Sequence, residues 1–573
     1  MTRRTQRANS NAASSAKAHQ RKICGLGAIS CALCLYVLAP ACGGTKPGAG
    51  PSGAAGTGVT GVAGTGGSSG SAGGAGGAGS SGAAGTGAGN AGTSGQAGAP
   101  PPPTTSCDVP ADGQAADVSK PTTVVGDGTA ASCTAAALDA AVQKAGVVTF
   151  NCGSGPVTIT LTQQIRINNV GGADKLGDTV IDGGGKVTLS GGGKTRILYL
   201  NACEKPYNSD HCDTYDHPRL TVQNIGLVDG FSSETNRCGA AIYANGGLVK
   251  VVNARFSNNH GVVAARDVAG GAIATYLQSK PDFVVGSTFD GNSCASGGAL
   301  GSINTSWSVY NSVFSSNNAT GQPGNPDLGG NGGAISNDGG PYHLTICGAK
   351  LVNNTAVAFG GAVFQVSNSG DGFTTVGDST VQGNASTKSK HSGGLYIQGT
   401  KATISGSTFA GNMATFAGGL FVTPNAGKAN SVDLLNVTFT KNQASALEVD
   451  AAITGSIKGA TIADNDKGVS GGAKLSIGDS VVANNAGGNC TAAHASAGGG
   501  NVQFPQGGTA CTPDVVYGDP MLGALAANGG PTDTMLPAAG GAAAKAGKAC
   551  PATDQRGTTR PANGCTSGAV EVP

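Results

Sequence analysis

From about residue 256 to residue 485, short apolar segments alternate with asparagine and glycine at loosely regular intervals. An apolar residue is followed three places later by asparagine nine times, and the asparagines are 33, 25, 37, 30, 28, 30, 23 and 20 residues apart. They are Asn259, Asn292, Asn317, Asn354, Asn384, Asn412, Asn442, Asn465 and Asn485. Gly-Gly pairs recur between them, starting at Gly270, Gly297, Gly332, Gly360, Gly393 and Gly418, with a degraded copy at Gly471. A repeat of this size predicts a stacked array.

The apolar segments themselves predict strands. Each one, for example 395–397 or 402–404, is three to five residues long and is bounded by Gly, Asn or Thr, which suits a strand and is too short for a helix. Nothing between the segments has the 3.6-residue period of a crossover helix. We therefore expect an all-β chain folded as a right-handed parallel β-helix of roughly ten to thirteen coils, one repeat to a coil.

The repeated residues have expected places in such a coil. Side chains that point inward stack on their counterparts one coil away, about 4.8 Å apart, so the apolar residue before each asparagine is expected to join an internal column. Each asparagine is expected at a corner with left-handed backbone, its amide bonded to the amides above and below. The Gly-Gly pairs fit a second corner, where a Cβ atom would clash.

One helix is predicted at the N-terminal end of the array. Residues 132–146 are rich in alanine, with Ser132 placed as N-cap and Gly146 placed at the C-terminal stop. Such a short capping helix would cover the exposed edge and the apolar end of the first coil.

The N-terminal part of the chain predicts export. Residues 1–42 have the features of a targeting signal, with six basic residues before an apolar run. They end at Cys42, a candidate lipidation site in an imperfect lipobox; the alternative is cleavage without a lipid. Residues 43–106 are almost entirely Gly, Ala, Ser, Thr and Pro, which predicts a disordered linker with a reach of roughly 45 Å. We assign the β-helix to 107–517 and a C-terminal segment that closes the stack to 518–573.

Charge and cysteine content narrow the partners and the compartment. The formal charge is +2, and removing the six basic residues before Cys42 leaves 28 basic against 32 acidic residues. No basic patch remains, so we expect no nucleic-acid partner. The twelve cysteines beyond Cys42 are an even number, which favours disulfides in an exported protein. The plausible close pairs are Cys133 with Cys152, Cys203 with Cys212, Cys490 with Cys511, and Cys550 with Cys565.

Two sets of motifs resemble known families. The Gly-Gly-Ala-[Ile/Leu/Val] and Phe-x-x-Asn tetrapeptides over about 253–485 are similar to repeats of chlamydial polymorphic outer-membrane proteins, although the ending VEVP departs from their autotransporter barrel. The segments GDPMLGALAANGGPTDTMLP (518–537) and CPATDQRGTTRPANG (550–564) resemble the choice-of-anchor Q domain family of bacterial surface proteins. Segments at Val125 and Thr179 resemble the opening coils of pectin lyase-like folds. These resemblances imply a surface-displayed β-helix with an adhesive role.

One loop concentrates possible metal ligands. Between Cys203 and Arg219, the carboxylates could hold Ca²⁺ and the imidazoles Zn²⁺; the alternative is a solvated loop closed by a disulfide. No other cofactor is expected. The candidate ligands are Asp210, His211, Asp213, Asp216 and His217.

Other residues offer less for catalysis. His260 with Arg266 and Asp267 is a candidate for general base chemistry, although scattered polar loop residues explain the group as well. Trp307, the single tryptophan, fits a coil-face or core aromatic. Polygalacturonase-type patches do not occur in the sequence, and the coil aspartates, such as Asp290, Asp378 and Asp464, fit turn positions.

We therefore expect an exported cell-surface monomer, anchored in the outer membrane only through a lipid, with a structural or adhesive role. Its expected partner is a surface polysaccharide or the surface of a host or neighbouring cell. The alternative is a polysaccharide lyase or glycoside hydrolase that acts on a uronic-acid polymer. A sheet face of Ser, Thr and Asn would favour binding, whereas three or more acids beside an Arg or Lys would favour the enzyme.

Overall fold

The computed structural model describes residues 107–167, 177–204, 214, 216–261, 268–322, 328–388 and 391–572. The predicted signal and linker lie outside the described residues. Within this part of the chain, no helix is both long enough and apolar enough to span a membrane.

The predicted helix is present but shorter. The helix α1 spans Ala135–Val142, and a 3-10 turn at Ala130–Ser132 precedes it. Its N-cap is Thr134, whose hydroxyl accepts a main-chain N–H at 3.2 Å. The expected cap, Ser132, is occupied in the preceding turn, where its hydroxyl donates to a main-chain carbonyl at 2.7 Å. Gly146 begins a strand instead of ending the helix. The buried face of α1 lies in the main core, so the helix covers the first coil as expected.

The strands of the described residues form four parallel sheets, named A to D here. Sheet A contains β1 Thr123–Val125, β2 Gly146–Phe150, β5 Thr179–Asp182, β8 Arg219–Gln223, β12 Leu248–Val252, β16 Asp282–Val285, β20 Trp307–Tyr310, β24 Leu344–Cys347, β28 Gly372–Gly377, β32 Thr400–Ser405, β35 Ser431–Leu435, β38 Thr454–Lys458, β41 Lys474–Gly478 and β43 Ala495–Ser496. Sheet B contains β3 Val157–Thr160, β6 Val187–Ser190, β9 Gly226–Val228, β13 Arg255–Ser257, β17 Thr288–Asp290, β21 Val313–Ser315, β25 Lys350–Val352, β29 Thr380–Gln382, β33 Thr408–Ala410, β36 Thr438–Thr440, β39 Thr461–Ala463, β42 Val481–Ala483, β44 Val502–Phe504 and β45 Val516–Tyr517.

The other two sheets are smaller. Sheet C contains β4 Ile165–Ile167, β7 Leu198–Asn201, β11 Ile242–Asn245, β15 Ile273–Tyr276, β19 Leu300–Ile303, β23 Ile335–Gly339, β27 Val363–Ser367, β31 Leu395–Gln398, β34 Ala417–Thr423, β37 Ser445–Val449 and β40 Lys467–Gly471. Sheet D contains β10 Phe231–Ser232, β14 His260–Gly261, β18 Ser293–Cys294, β22 Asn318–Ala319, β26 Thr355–Ala356 and β30 Ala385–Ser386.

Successive coils lie in register, and the prediction of a right-handed parallel β-helix is confirmed. Each sheet joins equivalent strands of successive coils, and in the described residues sheet C alone runs through eleven of them. Phe256 pairs with Phe289, and Phe289 pairs with Phe314. Their rings stack with centroids 4.6 and 4.8 Å apart and planes within 5° of parallel. The apolar residues of the repeat therefore form an internal column, as expected.

The nine asparagines of the repeat form a continuous asparagine ladder. The Nδ2 group of Asn259 donates to Oδ1 of Asn292 at 2.9 Å, and Asn292 donates to Asn317 at 2.9 Å. The same bond recurs up to Asn485 at 2.9–3.0 Å. The expectation of left-handed backbone at the asparagines is wrong by one position. That conformation belongs to the residue before each one, such as Asn258 with φ 55°; the ladder residue itself is free to aim its amide along the stack.

The Gly-Gly pairs form close-packed corners. The first glycine of four pairs has left-handed backbone, for example Gly332 with φ 66°, whereas Gly393 and Gly418 do not. At the second, Gly333, a Cβ atom would lie 2.0 Å from a main-chain carbonyl oxygen of the next coil, so a side chain is excluded there.

A serine column at the corner between sheets A and B was not foreseen. The hydroxyl of Ser287 accepts from a main-chain N–H of the preceding coil at 3.1 Å, and the N–H of Ser287 donates to the hydroxyl of Ser312 at 3.1 Å. Each serine precedes the apolar residue of the repeat by two places, which is the signal that could have revealed it. The members are Ser287, Ser312, Ser379, Ser407 and Ser480.

Disulfides join both near and distant parts of the chain. Three expected pairs are present: Cys133–Cys152, Cys490–Cys511 and Cys550–Cys565. Cys203 is disulfide-bonded, and its expected partner lies outside the described residues. The structure adds Cys107–Cys347 and Cys238–Cys294, which are 240 and 56 residues apart in sequence.

The C-terminal segment lies along the outer face of sheet B. The hydroxyl of Thr438 donates to Gln555 Oε1 at 2.7 Å, and Thr461 Oγ1 accepts from the N–H of Ala569 at 2.9 Å. The segment thus covers a side of the last coils. The Cys490–Cys511 disulfide is buried and forms part of the main core in these last coils.

Candidate functional site

Two of the five candidate metal ligands are among the described residues, and both already have partners. The Asp216 carboxylate accepts from Lys280 Nζ and Arg219 Nη2, each at 2.6 Å. The hydrogen bond from Lys280, followed by that from Arg219, lowers the pKa of Asp216 to about 2. His217 Nδ1 lies 2.7 Å from Asp178 Oδ1. Asp210, His211 and Asp213 lie outside the described residues, so a metal site in this loop stays a prediction.

Two other groups of metal-ligating atom types are excluded as metal sites by their chemistry. They combine Asp378 with the Cys107–Cys347 pair, and Asp479 with the Cys550–Cys565 pair. All four cysteines are in disulfides, so no thiolate is present to bind a metal.

His260 forms a side-chain pair with a serine of the next coil. Its Nδ1 lies 2.8 Å from the Ser293 hydroxyl of the next coil. Burial lowers the pKa of His260, which the charge of Asp229 opposes. Among the described residues no carboxylate forms an ion pair with His260, and Arg266 and Asp267 lie outside them. The pair belongs to a polar row on sheet D, where Thr355 donates to Asn318 in the same manner; a general-base role of His260 with Arg266 and Asp267 stays a prediction.

The remaining single residues agree with their structural interpretations. Trp307 is completely buried and lies in the core. Asp378 and Asp464 have φ 46° and 59°, as turn residues do. Asp290 ends β17, and its carboxylate accepts from the Ser315 hydroxyl at 2.6 Å.

The outer face of sheet A carries a hydroxyl row. Side chains alternate between core and surface along a strand, and the register aligns one outward residue from each coil. Thr345 pairs with Thr375, which pairs with Thr403, and the last two are exposed. Neighbouring strands are about 4.8 Å apart, so the oxygens repeat at nearly that interval. The row consists of the hydroxyl residues Ser308, Thr345, Thr375, Thr403, Ser456 and Ser476, with Asp433 between Thr403 and Ser456.

An N-terminal strap, residues 107–122, crosses the first part of this face. Cys107 is bonded to Cys347 at the end of β24. Farther down, the side chains of Asn311 and Gln223 each exchange two hydrogen bonds with the main chain of the strap, at 2.8 and 3.1 Å. The strap reaches β1, which pairs with β2.

Beyond the strap, strands β28 to β41 present an open face with few acids. Phe373 of β28 is 51% exposed and Leu435 of β35 is 39% exposed. Asp433 is the one acidic residue on these five strands. Three lysines flank the hydroxyl row, and none of them forms a salt bridge with a described residue. They are Lys401, Lys458 and Lys474.

Four outward aromatic residues of sheet C are packed against neighbouring side chains. Tyr199 and Tyr243 stack with centroids 5.2 Å apart, and the guanidinium of Arg196 lies 5.1 Å from the Tyr243 ring. Farther along, Phe364 and Tyr396 stack at 5.3 Å under the corner loops. All four rings are less than 10% exposed. These four rings therefore offer no aromatic platform to a sugar, and composition alone gave no sign of their clusters.

Comparison with known proteins gives limited information. No family model matches the chain, and no curated protein matches it. A solved structure that aligns with it is the crystal structure of tailspike protein 3 of bacteriophage CBA120, at 10% identity and a TM-score of 0.37. The alignment covers 66% of this chain and 56% of the tailspike, so the chain spans little more than half of that protein. The resemblances to choice-of-anchor Q and polymorphic outer-membrane proteins stay predictions.

Proposed function

We propose that this protein is an exported surface protein whose β-helix binds an extended acidic polysaccharide along the outer face of sheet A. The observation that carries the proposal is the hydroxyl row with its three flanking lysines on strands β28 to β41. Hydroxyl groups donate to and accept from sugar hydroxyls, and ammonium groups attract carboxylates or sulfates.

The regular geometry of the face favours a polymer over a small molecule. Its hydroxyl groups belong to a stack of hydrogen-bonded strands, so little conformational entropy is lost when a ligand binds. A flat, periodic surface has no deep pocket to enclose a single sugar, whereas a chain can contact several coils at once. The summed contacts of several coils compensate for weak individual ones.

The charge distribution favours binding over cleavage. Lyase or hydrolase chemistry on an acidic polymer needs acids near a base or a cation. The five sheet A strands β28, β32, β35, β38 and β41 carry a single acid, Asp433, whose carboxylate accepts the Ser456 hydroxyl at 2.6 Å. A polysaccharide-cleaving enzyme is thus the weaker proposal.

Location at the cell surface is part of the proposal. The predicted signal, a lipid at Cys42 and the choice-of-anchor Q resemblance support display from the outer membrane on a linker. The disulfides fit an oxidising compartment outside the cytosol. The partner would be a surface polysaccharide of the same or a neighbouring cell, bound by a monomer.

The test measures binding of polygalacturonate, with neutral dextran of matched size as reference, by affinity electrophoresis and calorimetry. The variant Thr375→Val with Thr403→Val removes two hydroxyls while keeping side-chain volume, and Lys401→Gln removes one charge. We expect the triple variant to lose at least about tenfold in affinity, roughly 1.4 kcal/mol. The matched control is Thr380→Val, in the same coil as Thr375 but outward on sheet B.

Two results would contradict the proposal. One is equal binding by the triple variant and the Thr380→Val control, which would move the site to another face. The other is release of unsaturated products from polygalacturonate, followed by ultraviolet absorbance with and without added Ca²⁺, which would make the protein a lyase.

A further inference from the structure

The interior corner between sheets C and A is polar at β15 and β16. Thr275 of β15 and Asp282 of β16 point inward and are completely buried. In the next coil, Ser302 pairs with Thr275, and Trp307 pairs with Asp282. Two adjacent coils thus bring a carboxyl group, hydroxyls and an indole N–H into one interior corner, and Asn337, Gln365 and Thr374 continue its buried polar positions in the following coils.

Only one of the two carboxyl oxygens of Asp282 forms a hydrogen bond with the main chain. Oδ1 accepts from the N–H of Val249 in the preceding coil at 2.7 Å, in the place of a carbonyl oxygen. Oδ2 has no partner in hydrogen-bond geometry among the described residues, although the Thr275 hydroxyl lies near enough to lower the pKa of the carboxyl group. The aspartate therefore completes the ladder at a corner where the strand begins, and it leaves one buried oxygen unused.

Four neighbouring groups share this condition. They are completely or almost completely buried, at no more than 2% exposure, and the described residues give them no hydrogen-bond partner. Gln278 and Thr305 lie in the corner turns of the two coils, between the paired ends of sheets C and A. The groups are Thr275 Oγ1, Gln278 Oε1, Thr305 Oγ1 and Trp307 Nε1.

Five such groups at one place need an explanation. A buried polar atom that forms no hydrogen bond loses its bonds to water without replacement, so it destabilises the fold by the full desolvation penalty. Native interiors contain few such atoms. Buried water satisfies groups of this kind, on the order of one molecule per 27 residues, and each molecule makes about three hydrogen bonds. The donors and acceptors here are complementary for that purpose.

We infer that one or more water molecules are bound in this interior corner, bridging Asp282 and Trp307 of adjacent coils through the Thr275, Gln278 and Thr305 side chains. The indole N–H donates to a water, and that water donates to the amide or hydroxyl oxygens. The water is thus a structural ligand of the coil interior, separate from the proposed polysaccharide face outside.

The surroundings of the carboxyl group in this site favour its neutral form. Burial raises the pKa of Asp282 well above its usual range, against smaller opposing effects of the Val249 N–H and the Thr275 hydroxyl. No cationic side chain among the described residues forms an ion pair with it. A neutral carboxyl group donates through its own O–H, which gives a bridging water one more partner.

A hard cation is the rival ligand, because the site offers several oxygen atoms. A cation would require an ionised Asp282, and the indole N–H would point its positive end toward the same region. Bound water and a bound cation therefore predict opposite protonation states of Asp282, which infrared spectroscopy distinguishes.

The test begins with a crystal structure of the wild-type chain at a resolution that shows ordered water. We expect density within hydrogen-bond distance of at least three of the five groups. We also expect the infrared carbonyl band of a protonated carboxylic acid to persist above the usual aspartate pKa of about 4 and to be absent from Asp282→Asn. Asp479→Asn, another buried acid at a different corner, is the matched control and keeps the band.

Three outcomes would overturn the inference. The first is direct contact between these groups with no density between them. The second is an ionised Asp282 with anomalous density for Ca²⁺ or Rb⁺. The third is a melting temperature that rises with cation concentration in the wild type and does not rise in Asp282→Asn. The wild-type crystal structure and its infrared spectrum decide between them even if a variant does not fold.

Discussion

Replacing Asn317 by alanine removes four side-chain hydrogen bonds from the asparagine ladder. Its Nδ2 donates to Asn354 Oδ1 at 2.9 Å and to the carbonyl oxygen of Phe289 at 3.0 Å. Its Oδ1 accepts from Asn292 N and Nδ2 at 3.0 and 2.9 Å. The residue is completely buried, so no solvent can replace these bonds. At about 1 kcal/mol for each bond, the free energy of unfolding is expected to fall by about 4 kcal/mol.

The matched control is the adjacent residue, Asn318. It is half-buried, and its side chain accepts a single bond from the Thr355 hydroxyl at 3.0 Å. Asn318→Ala is expected to cost about 1 kcal/mol or less. Urea unfolding followed by circular dichroism compares the two variants. Amide hydrogen exchange shows whether the loss is confined to the neighbouring coils, as expected in an array held by nearest-neighbour contacts.

Equal unfolding free energies for the two alanine variants, within about 0.5 kcal/mol, would refute the reasoning. The ladder would then be a passive consequence of coil geometry, and the aromatic and aliphatic columns would hold the coils together without it.

Three further predictions concern other contacts. Gly333→Ala is expected to destabilise the protein by at least about 3 kcal/mol, because its Cβ would lie 2.0 Å from a carbonyl oxygen. The control Gly155→Ala, whose Cβ would have nothing within 4 Å, is expected to change the melting temperature little, and similar melting temperatures for the two variants would contradict this. The double variant Cys107→Ser, Cys347→Ser opens a 240-residue loop and is expected to lose about 4 kcal/mol and to expose the strap to limited proteolysis, with unchanged cleavage as the contrary result. The lowered pKa of Asp216 means that its stabilising effect is present above the unfolded-state pKa of about 4 and is lost as pH falls through about 2. The stability difference between wild type and Asp216→Asn, measured by urea unfolding from pH 7 to pH 2, is expected to shrink in that window; a difference independent of pH would rule out the ion pairs as its source.

The columns of the β-helix were predictable from sequence because each residue of the repeat contacts the equivalent residue of the next coil. Phe256 and Phe289 therefore stack, and Asn259 bonds to Asn292, as their shared place in the repeat required. The serine column carried the same kind of signal. Ser287 was overlooked because one residue of variable type lies between it and the apolar residue Phe289.

Contacts outside the repeat could not be predicted. Cys107 and Cys347 are 240 residues apart and belong to no common motif, so only the path of the strap brings them together. Thr375 and Thr403 form a row because corner loops of different length still deliver each strand in register. The length of a loop is visible in a sequence, whereas its effect on the register of the next strand depends on packing.

The attachment of the strap decides how the β-helix bears a mechanical load. Tension on the chain ahead of Cys107 passes through a covalent bond directly to Cys347, which lies several coils inside the stack. The first coils and α1 are thereby bypassed, and the pull reaches the array near strands β28 to β41. A molecule held at its N-terminal side while a polymer drags on those strands would carry the tension over a short path, and most of its hydrogen bonds would stay unloaded.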